Sequence, residues 1–453
     1  MHKVLQAFGI VLPVLAVGSL CLPAWSATVV FDRVQVVDVA AGTVGPQTQL
    51  FVSDGRIVEA PANESDTVRR IDGQGLFLIP GLAEMHAHVP PAADAQRIDD
   101  VLTLFLAHGV TTIRGMLGEP GHLQLRAELA RGERIGPRLL TSGPSLNGGS
   151  VATPGQAWTL VRHQSEAGYD FLKLHPGLMP HTFEAIARAA RGLDIEFAGH
   201  VSIGVGLERA LAAGQATIDH LDGYAQALVP ADHPARRREP GLFGFNIGDA
   251  MDIGRVDEWA RRTRDAGVWN VPTQTLIENL AVNDLDVLMA RPAMRWVDQA
   301  TRNQWAERVR QMRSDQPAEA LAQFVAIRRA LILALHESGA GLLLGADAPQ
   351  IMNVPGDALH HELEIYVAAG LSPAQALATG TLNVARFLKQ PAYACLQADC
   401  IADLVLLGAN PLDDISNVRD VRGVMRAGQW FDRSALDDML EQIADRADPT
   451  GPD

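Results

Sequence analysis

Lysine is almost missing from this 453-residue sequence, which takes its positive charge from arginine. Lys3, Lys173 and Lys389 are the only lysines among 38 basic residues. An arginine side chain stays protonated in proteins, whereas a buried lysine amine can lose its proton and react. A lysine kept inside an apolar segment of such a chain is therefore a candidate for chemistry that arginine cannot perform.

Runs of basic residues are missing as well. The formal net charge is −15 at pH 7, and no cluster of lysine and arginine reverses it locally. Because phosphate backbones are polyanions, nucleic acid is not expected as a partner. The composition is 47% hydrophobic and 20% charged, with scattered glycine and proline. This excludes a disordered or fibrous chain and allows a large core.

The N-terminus carries one lysine, then an apolar stretch over residues 4–22 and small residues up to Ser26. This order predicts a signal peptide over residues 1–26. The mature protein is then exported, periplasmic or secreted, without stable membrane insertion, and an uncleaved membrane anchor is the alternative. Cleavage leaves Cys395 and Cys400, which are close enough to form a disulfide in an oxidising compartment or to remain free thiols.

Both ends of the mature sequence are rich in β-branched residues and turn signals. Each piece is too short to bury a core alone. Residues 27–79 and 391–433 are therefore predicted to form one small, composite β-sandwich domain. Residues 434–453 are predicted to be an acidic C-terminal tail, loose or weakly helical.

Between these ends, residues 80–390 alternate short apolar runs with helical patterns, which is typical of repeated βα units. Eight strands are predicted, over residues 82–89, 111–115, 138–142, 171–175, 195–199, 217–220, 269–273 and 342–347. The expected fold is α/β, a (β/α)8 TIM barrel with reactive side chains at the C-terminal ends of its strands. A helical excursion from Val282 to His336 is predicted between strands seven and eight.

Five of these predicted strands end in residues that commonly bind metal ions. His86 and His88 are two positions apart on the first strand, so both imidazoles face the same side. The others are Lys173 on the fourth strand, His200 and His220 at the ends of the fifth and sixth, and Asp347 at the end of the eighth. Singly, His200 or His220 could be a hydrogen-bonded core residue and Asp347 a helix cap. Together, on one barrel rim, they predict a metal site.

Lys173 stands between Leu172 and Leu174, which are expected to face the surrounding helices, so its amine is expected to face the barrel interior. An isolated ammonium is costly to bury there. One role is an amine that reacts with carbon dioxide to give a carbamate bridging two metal ions. The alternative is an ammonium that reaches the barrel mouth and pairs with a carboxylate.

Several motifs share one family pattern. They are Ile79-Pro80-Gly81-Leu82 before His86-Ala87-His88, Gly109-Val110-Thr111-Thr112-Ile113-Arg114, Gly345-Ala346-Asp347 and His361-Glu362-Leu363-Glu364. With them, the sequence resembles the amidohydrolase superfamily, specifically its imidazolonepropionase-like and Xaa-Pro dipeptidase-like branch, over nearly the whole mature chain. It departs at Gly115, where many relatives carry an acid, and at residues 396–400, which replace a Gly-rich turn. The first departure leaves the substrate preference open.

The resemblance implies two divalent metal ions. The ligands it implies are His86, His88 and Asp347 for one ion, His200 and His220 for the other, and carbamylated Lys173 as the bridge. Zinc is the first expectation, and manganese, cobalt and iron also suit these ligand types. Asp347 is expected to act as general acid and base for a metal-activated hydroxide.

The expected activity is hydrolysis of an amide bond in a small-molecule substrate, such as an Xaa-Pro dipeptide, an N-acyl amino acid or a cyclic amide. His175 and Tyr224 are candidate substrate contacts, with a structural role as the alternative for each. A lactonase or phosphotriesterase on the same site is the runner-up. A non-catalytic periplasmic binding protein on the same scaffold is the alternative from another class. The oligomeric state is left open, with a homo-oligomer among the alternatives.

Overall fold

The computed structural model describes residues 28–60, 68–282, 284–313 and 317–448. The predicted signal peptide lies outside the described residues. Within these ranges, no helix combines the length and the apolar character needed to cross a membrane.

In chain order, the strands of the described ranges are β1 (Thr28–Asp38), β2 (Thr43–Ser53), β3 (Arg56–Val58), β4 (Val68–Asp72), β5 (Phe77–Pro80), β6 (Leu82–Ala87), β7 (Val110–Gly115), β8 (Arg138–Thr141), β9 (Phe171–Leu174), β10 (Glu196–Gly199), β11 (Thr217–Asp219), β12 (Trp269–Val271), β13 (Gly341–Leu342), β14 (Leu404–Leu407), β15 (Val421–Arg426) and β16 (Gln429–Asp432).

The α-helices of the same ranges are α1 (Ala95–Ala107), α2 (Pro120–Arg131), α3 (Pro154–Ala167), α4 (Pro180–Gly192), α5 (Leu207–Ala213), α6 (Tyr224–Leu228), α7 (Val256–Asp265), α8 (Gln274–Ala281), α9 (Leu285–Met289), α10 (Gln299–Arg313), α11 (Ala318–Ser338), α12 (Asp357–Ala369), α13 (Pro373–Thr379), α14 (Leu382–Phe387) and α15 (Arg433–Ala447). Short 3-10 helices cover Pro234–Arg237, Leu242–Ala250, Ile253–Arg255, Pro292–Trp296 and Ile415–Arg419.

One β-sheet contains strands from both ends of the described chain. Its strand order is β16-β15-β14-β5-β1-β2-β3, with β4 beside β1. The antiparallel pair β14 and β5 joins the two ends, with Leu404 opposite Pro80 and Leu407 opposite Phe77. Because hydrogen bonding continues from β14 through β5 to β1, this is one sheet, and the predicted sandwich of two sheets is not confirmed. The predicted domain limits stay predictions. Cys395 and Cys400 form a disulfide beside this sheet.

Eight parallel strands, β6 to β13, carry the middle of the chain. They form one sheet of β6, β7 and β8 and a second sheet in which β9 to β13 follow in order. Isolated parallel bridges link the two sheets at both sides, between Leu146 and Leu174 and between Ala87 and Ala348. A continuous ladder around a closed barrel is not present among the described residues.

The segment before and within the last parallel strand shows one confirmed prediction and one correction. Helices α9, α10 and α11 lie between β12 and β13, which confirms the predicted helical excursion. The eighth strand was predicted over residues 342–347, but β13 pairs only over Gly341–Leu342. Leu343 still donates its amide to the carbonyl of Asn270 on β12, and from Leu344 onward the chain bonds β6, since the amide of Met85 donates to the carbonyl of Leu344.

The C-terminal end was predicted to be loose or weakly helical, and its described part is a helix that packs on the core. Helix α15 is regular and begins with the side chain of Asp432 accepting a hydrogen bond from the amide of Ala435. Leu436, Leu440 and Ile443 are buried at the spacing of one helix face. The acidic composition concealed this apolar face.

Candidate metal centre

The predicted ligand residues converge where the parallel strands end. His86 lies on β6, whereas His220 and Asp347 follow β11 and β13. One ligand atom from each of these three residues lies within 4.8 Å of the others, and all three residues are buried. They form a metal-capable group of two imidazoles and one carboxylate.

Two further predicted ligands lie against this group. Nε2 of His88 is 2.8 Å from Oδ1 of Asp347. The amine nitrogen of Lys173, on β9, is 3.5 Å from Nε2 of His86. The Lys173 amine therefore faces inward, as the strand pattern predicts.

His200 extends the cluster beyond the end of β10. Its ring centroid is 4.5 Å from that of His220, and its Nδ1 is 2.7 Å from Oδ2 of Asp222. A hydrogen bond at Nδ1 fixes the ring and leaves Nε2 available to a ligand. All six predicted ligands thus lie together, while their assignment to individual ions stays a prediction.

Gly199 provides the space through which Lys173 reaches the centre. Its φ is +118°, and a Cβ at this position would lie 2.9 Å from Cδ of Lys173 and 2.6 Å from the carbonyl oxygen of Leu174. Any larger residue here would push the lysine stem or the backbone of β9. The fully buried side chain of Lys173 therefore depends on a glycine at the end of the neighbouring strand.

The chain turns sharply at the centre, at three residues other than glycine. His220, Thr273 and Asp347 have φ values of 60°, 46° and 64°. Each such left-handed residue costs roughly 1–2 kcal/mol, and residues of this kind persist where their surroundings hold them. One such contact is visible, because Oγ1 of Thr273 lies 2.8 Å from Nδ1 of His220.

Burial sets the charge of the donor atoms. It lowers the pKa of His86 and His220 well below the ordinary value, so both rings are neutral near pH 7. Burial also lowers the pKa of the Lys173 amine. Burial alone would raise the pKa of Asp347, but the imidazoles of His86 and His88 hold it below its ordinary value. Neutral imidazoles beside a charged carboxylate are the donor set of a divalent transition-metal ion.

Sequence reasoning missed a layer of buried polar residues that contacts the cluster. Oδ2 of Asp219 lies 3.0 Å from Nδ1 of His86, and Oδ1 of Asp219 accepts a hydrogen bond from Thr217. The same Thr217 hydroxyl accepts one from the guanidinium of Arg114. A signal was available, since Asp219 is an acid on a short apolar strand next to His220.

Glu84 was missed too, and it joins the first strand to the segment that carries Asp347. Its Oε1 accepts hydrogen bonds of 2.9 Å from the backbone amides of His86 and Ala346. Burial raises the pKa of Glu84 well above its ordinary value. The sequence pattern that could have identified Glu84 is the strand alternation, which places Glu84, His86 and His88 on one face of the strand.

The two predicted substrate contacts have different outcomes. His175 is partly exposed, its ring stacks on that of His200 at 5.0 Å, and burial lowers its pKa to about 3. The structure does not place Tyr224 at the centre. Its side chain is buried, and its hydroxyl lies 2.7 Å from Oγ1 of Thr263 on α7 and donates to Oδ1 of Asn270 on β12. Helix α6 begins at Tyr224 and directs the ring into the layer between strand and helix.

Comparison with known proteins assigns the family. Residues 77–431 match the amidohydrolase family, and the chain belongs to that family. It is accordingly a hydrolase that acts on carbon–nitrogen bonds. Comparison with curated protein sequences finds no significant match.

Solved structures share the fold over nearly the whole chain. Bottromycin amidohydrolase aligns with a TM-score of 0.72 and 24% identity over 93% of this chain and 90% of its own. A proposed prolidase from Bifidobacterium longum aligns with a TM-score of 0.65 and 24% identity over 92% and 99%. An Xaa-Pro dipeptidase solved with bound methionine aligns with a TM-score of 0.64 and 17% identity over 90% and 100%. At these identities the likeness establishes the fold alone, an α/β fold of TIM-barrel type.

The cluster fits the divalent ions that this family generally binds. Oδ1 of Asp347 is buried and 2.8 Å from Nε2 of His88, yet no donor in the described part of the chain is aligned to form a hydrogen bond with this oxygen. Buried polar atoms are normally paired. A cation between the carboxylate and the imidazoles accounts for the close approach.

Proposed function

We propose that the protein hydrolyses an amide bond of a small substrate at a centre of two divalent ions. The observation that carries the proposal is the convergence of buried imidazoles, one carboxylate and one lysine amine from separate strands. In this proposal His86, His88 and Asp347 hold one ion. His200 and His220 hold the other.

Lys173 is proposed to bridge the two ions as a carbamate. Its amine lies 3.5 Å from Nε2 of His86 and 3.6 Å from Oδ2 of Asp219, with no exposure to solvent. As an ammonium, it would lie beside Oδ2 of Asp219, the same oxygen that lies near the imidazole of His86. As a carbamate it would add carboxylate oxygens to the ligand set, which hard and borderline divalent ions accept.

The bound ions, with zinc as the first expectation, would supply a water of lowered pKa and a Lewis acid for the scissile carbonyl. Asp347 would accept the proton of the attacking water at its carboxylate and return it to the departing amine nitrogen. His175 would contact the substrate from the partly exposed side of the cluster. Burial of His86, Lys173, His220 and Asp347 keeps bulk water from competing for these positions.

The proposed substrates are an Xaa-Pro dipeptide, an N-acyl amino acid or a cyclic amide. Among the solved relatives, one is described as an Xaa-Pro dipeptidase and another as a bottromycin amidohydrolase. Lactones and phosphotriesters are the runner-up substrates, because activated water attacks carbonyl and phosphoryl centres alike.

Product analysis on metal-loaded protein tests this function. Release of an amine from an amide supports it, and turnover of lactones or phosphotriesters alone would favour the runner-up. Asp347→Asn is expected to lower kcat by about 100-fold or more, the usual range for loss of a general acid–base. Asp403→Asn is the matched control, because Asp403 is nearly as buried but is paired with Arg138 beside the terminal β-sheet. An unchanged kcat in Asp347→Asn would contradict the proposed proton transfer.

We also infer that the eight parallel strands close into one (β/α)8 barrel. The isolated bridge between Leu146 and Leu174 and the bridge between Ala87 and Ala348 support closure at the two seams. The hydrogen bond from the amide of Met85 to the carbonyl of Leu344 adds a contact at the second seam.

Export is the third part of the proposal. The charged start, apolar stretch and small residues of residues 1–26 support a cleaved signal peptide. The disulfide between Cys395 and Cys400 supports an oxidising compartment. The test is N-terminal sequencing of protein from the culture medium or periplasm. A start at Ala27 supports the proposal, and a start at Met1 on cytosolic protein contradicts it.

A further inference from the structure

A cavity of about 390 Å3 opens beside the candidate metal centre. His200 and Asp222 contribute to its wall, which connects it to the ligand cluster. Phe243 also lines it, and the Phe243 ring centroid is 5.2 Å from that of His220. A group attached to the scissile bond can therefore enter this cavity while the bond itself lies at the cluster.

Much of the remaining wall is apolar, and Ser202 and Gln226 add uncharged polar groups to it. Met179, Ile203 and Leu242 line it and are 57%, 58% and 43% exposed. They are three of the eight large hydrophobic residues that are exposed in the described part of the chain. Exposed apolar side chains that gather at one cavity, instead of scattering over the surface, mark a binding site.

The wall carries no positive charge. Arginine and lysine are absent from the described residues that line the cavity, and the acidic residue Asp222 is present. Away from the ion proposed at His200, a substrate carboxylate would lose its hydration without gaining a basic partner from the wall, which is unfavourable. An uncharged apolar group would lose only its contact with water.

The backbone turn that carries Phe243 packs against a neighbouring helix. Phe243 has a φ of 55° and lies between Gly241 and Gly244, which have φ values of 68° and 89°. A Cβ on Gly244 would lie 2.3 Å from Cβ of Ala225, so this turn packs closely on α6. This packing sets where the chain presents Phe243 to His220.

We propose that this cavity binds an uncharged apolar group of the substrate, so that the protein prefers neutral amides to amides that carry a carboxylate at this position. The inference rests on the proposed amide hydrolysis and narrows it.

Two matched pairs of amides test the preference. N-hexanoylpyrrolidine is compared with N-hexanoyl-L-proline, which adds a carboxylate on the amine side. It is also compared with N-adipoylpyrrolidine, which ends in a carboxylate on the acyl side. In at least one pair, kcat/KM is expected to be at least about tenfold higher for the neutral amide, equivalent to 1.4 kcal/mol. Equal or better use of the acid in both pairs would overturn the inference.

A charge placed on the cavity wall gives the second readout. For the pair that shows the preference, Ile203→Arg is expected to lower the ratio of kcat/KM for the neutral amide to kcat/KM for the acid by about threefold or more. This is the scale of an exposed ion pair. Ile253→Arg is the matched control, because Ile253 is 59% exposed but does not line the cavity. An equal response of both variants would overturn the inference.

The experiments distinguish failure of the proposed amide hydrolysis from failure of the proposed binding preference of the cavity. If metal-loaded protein hydrolyses none of the three amides, the proposed function fails for these substrates. The same pairs are then compared by isothermal titration calorimetry. Tighter binding of the neutral amide, reduced by Ile203→Arg but not by Ile253→Arg, supports the cavity. Equal affinity, or no binding of any member, overturns it.

Discussion

Oδ2 of Asp219 lies 3.0 Å from Nδ1 of His86, while Nε2 of the same ring lies 3.5 Å from the amine of Lys173. The ring therefore has a carboxylate at one nitrogen and the candidate metal centre at the other. A carboxylate in this position fixes the orientation of an imidazole ligand and raises its basicity. Oδ2 of Asp219 and Nδ1 of His86 are not aligned for a hydrogen bond in the described part of the chain, so we infer from their separation that Asp219 is a positioning residue for His86.

The first prediction concerns this carboxylate. Asp219→Asn is expected to weaken metal affinity about 10-fold to 100-fold, the usual cost of losing such a partner. Affinity is measured by competition with a chelator and by elemental analysis of the dialysed protein. Asp249→Asn is the control, because Asp249 forms an exposed ion pair with Arg238 and neither residue belongs to the ligand cluster. Unchanged affinity in Asp219→Asn would show that His86 does not need this partner.

The second prediction concerns the space around Lys173. Gly199→Ala is expected to displace Lys173 and to reduce bound metal, because its Cβ would lie 2.9 Å from Cδ of that lysine. Gly214→Ala is the control, since Gly214 also has a positive φ, of 70°, but nothing lies within 4 Å of its added Cβ. The control is expected to lose about 1 kcal/mol of stability and no metal. Equal metal content in both variants would contradict this role of Gly199.

The third prediction concerns Arg328, which the helical excursion contributes from α11. Its buried guanidinium donates to the carbonyl oxygens of His220 and Pro272 and to Oε1 of Gln274. Arg328→Met leaves these acceptors unpaired and is expected to lower the free energy of unfolding by about 3 kcal/mol. The neighbour Arg329 is partly exposed and bonds Glu278, so Arg329→Met is expected to cost about 1 kcal/mol or less.

Denaturant unfolding of metal-free protein compares the two arginine variants. Equal losses would contradict the view that Arg328 supports the turn at His220. The comparison is sharp because both residues lie on the same helix and receive the same substitution.

The fourth prediction concerns pH and a charged cluster that joins α12 to the 3-10 helix at Ile415–Arg419. Arg419 bonds both Asp357 and Glu364, and His361 lies 3.1 Å from Glu364. Burial would raise the pKa of Glu364, but its hydrogen bonds to His361 and Arg419 lower it from 4.5 to about 2. Burial would lower the pKa of His361, but hydrogen bonds to Asp357 and Glu364 raise it above 6.5.

The sign of the pH effect follows from these shifts. The Glu364 contribution is complete above pH 4.5 and is lost as pH falls towards 2. The His361 contribution is complete below pH 6.5 and is lost as pH rises through its folded-state pKa. The Tm difference between wild type and Glu364→Gln is therefore expected to be largest between pH 4.5 and 6.5.

The control for this pH effect is Glu441→Gln, because Glu441 forms an exposed pair with Arg295. Its Tm difference is expected to be small at every pH. A difference for Glu364→Gln that does not change between pH 5 and pH 9 would contradict the contribution of His361.

Sequence reasoning found the cluster because strand alternation is local. Residues two positions apart on a strand face the same side of the sheet. The sequence alone therefore predicts that His86 and His88 share a face and that Lys173, between two leucines, faces the opposite side from them. Asp347 was found at the end of an apolar run. These positions depend on neighbours in the sequence.

What sequence reasoning missed depends on contacts between distant segments. Asp219 meets His86, and Asp222 meets His200, only after neighbouring strands and loops have folded. Tyr224 is close to His220 in sequence but points into the core, because α6 begins there. The short β13 has the same cause, since the chain bonds β12 only as far as Leu343 and bonds β6 from Leu344 onward. The local sequence pattern does not show with which of two adjacent strands the end of a strand forms hydrogen bonds.

The most direct test of the central proposal is metal content per chain in wild type and in Lys173→Ala, with Lys389→Ala as control. Lys389 is the only other lysine in the described part of the chain and lies outside the cluster. We expect about two divalent ions in wild type and in the control, and one or fewer in Lys173→Ala. One ion in all three proteins would contradict the carbamate bridge and the two-ion centre.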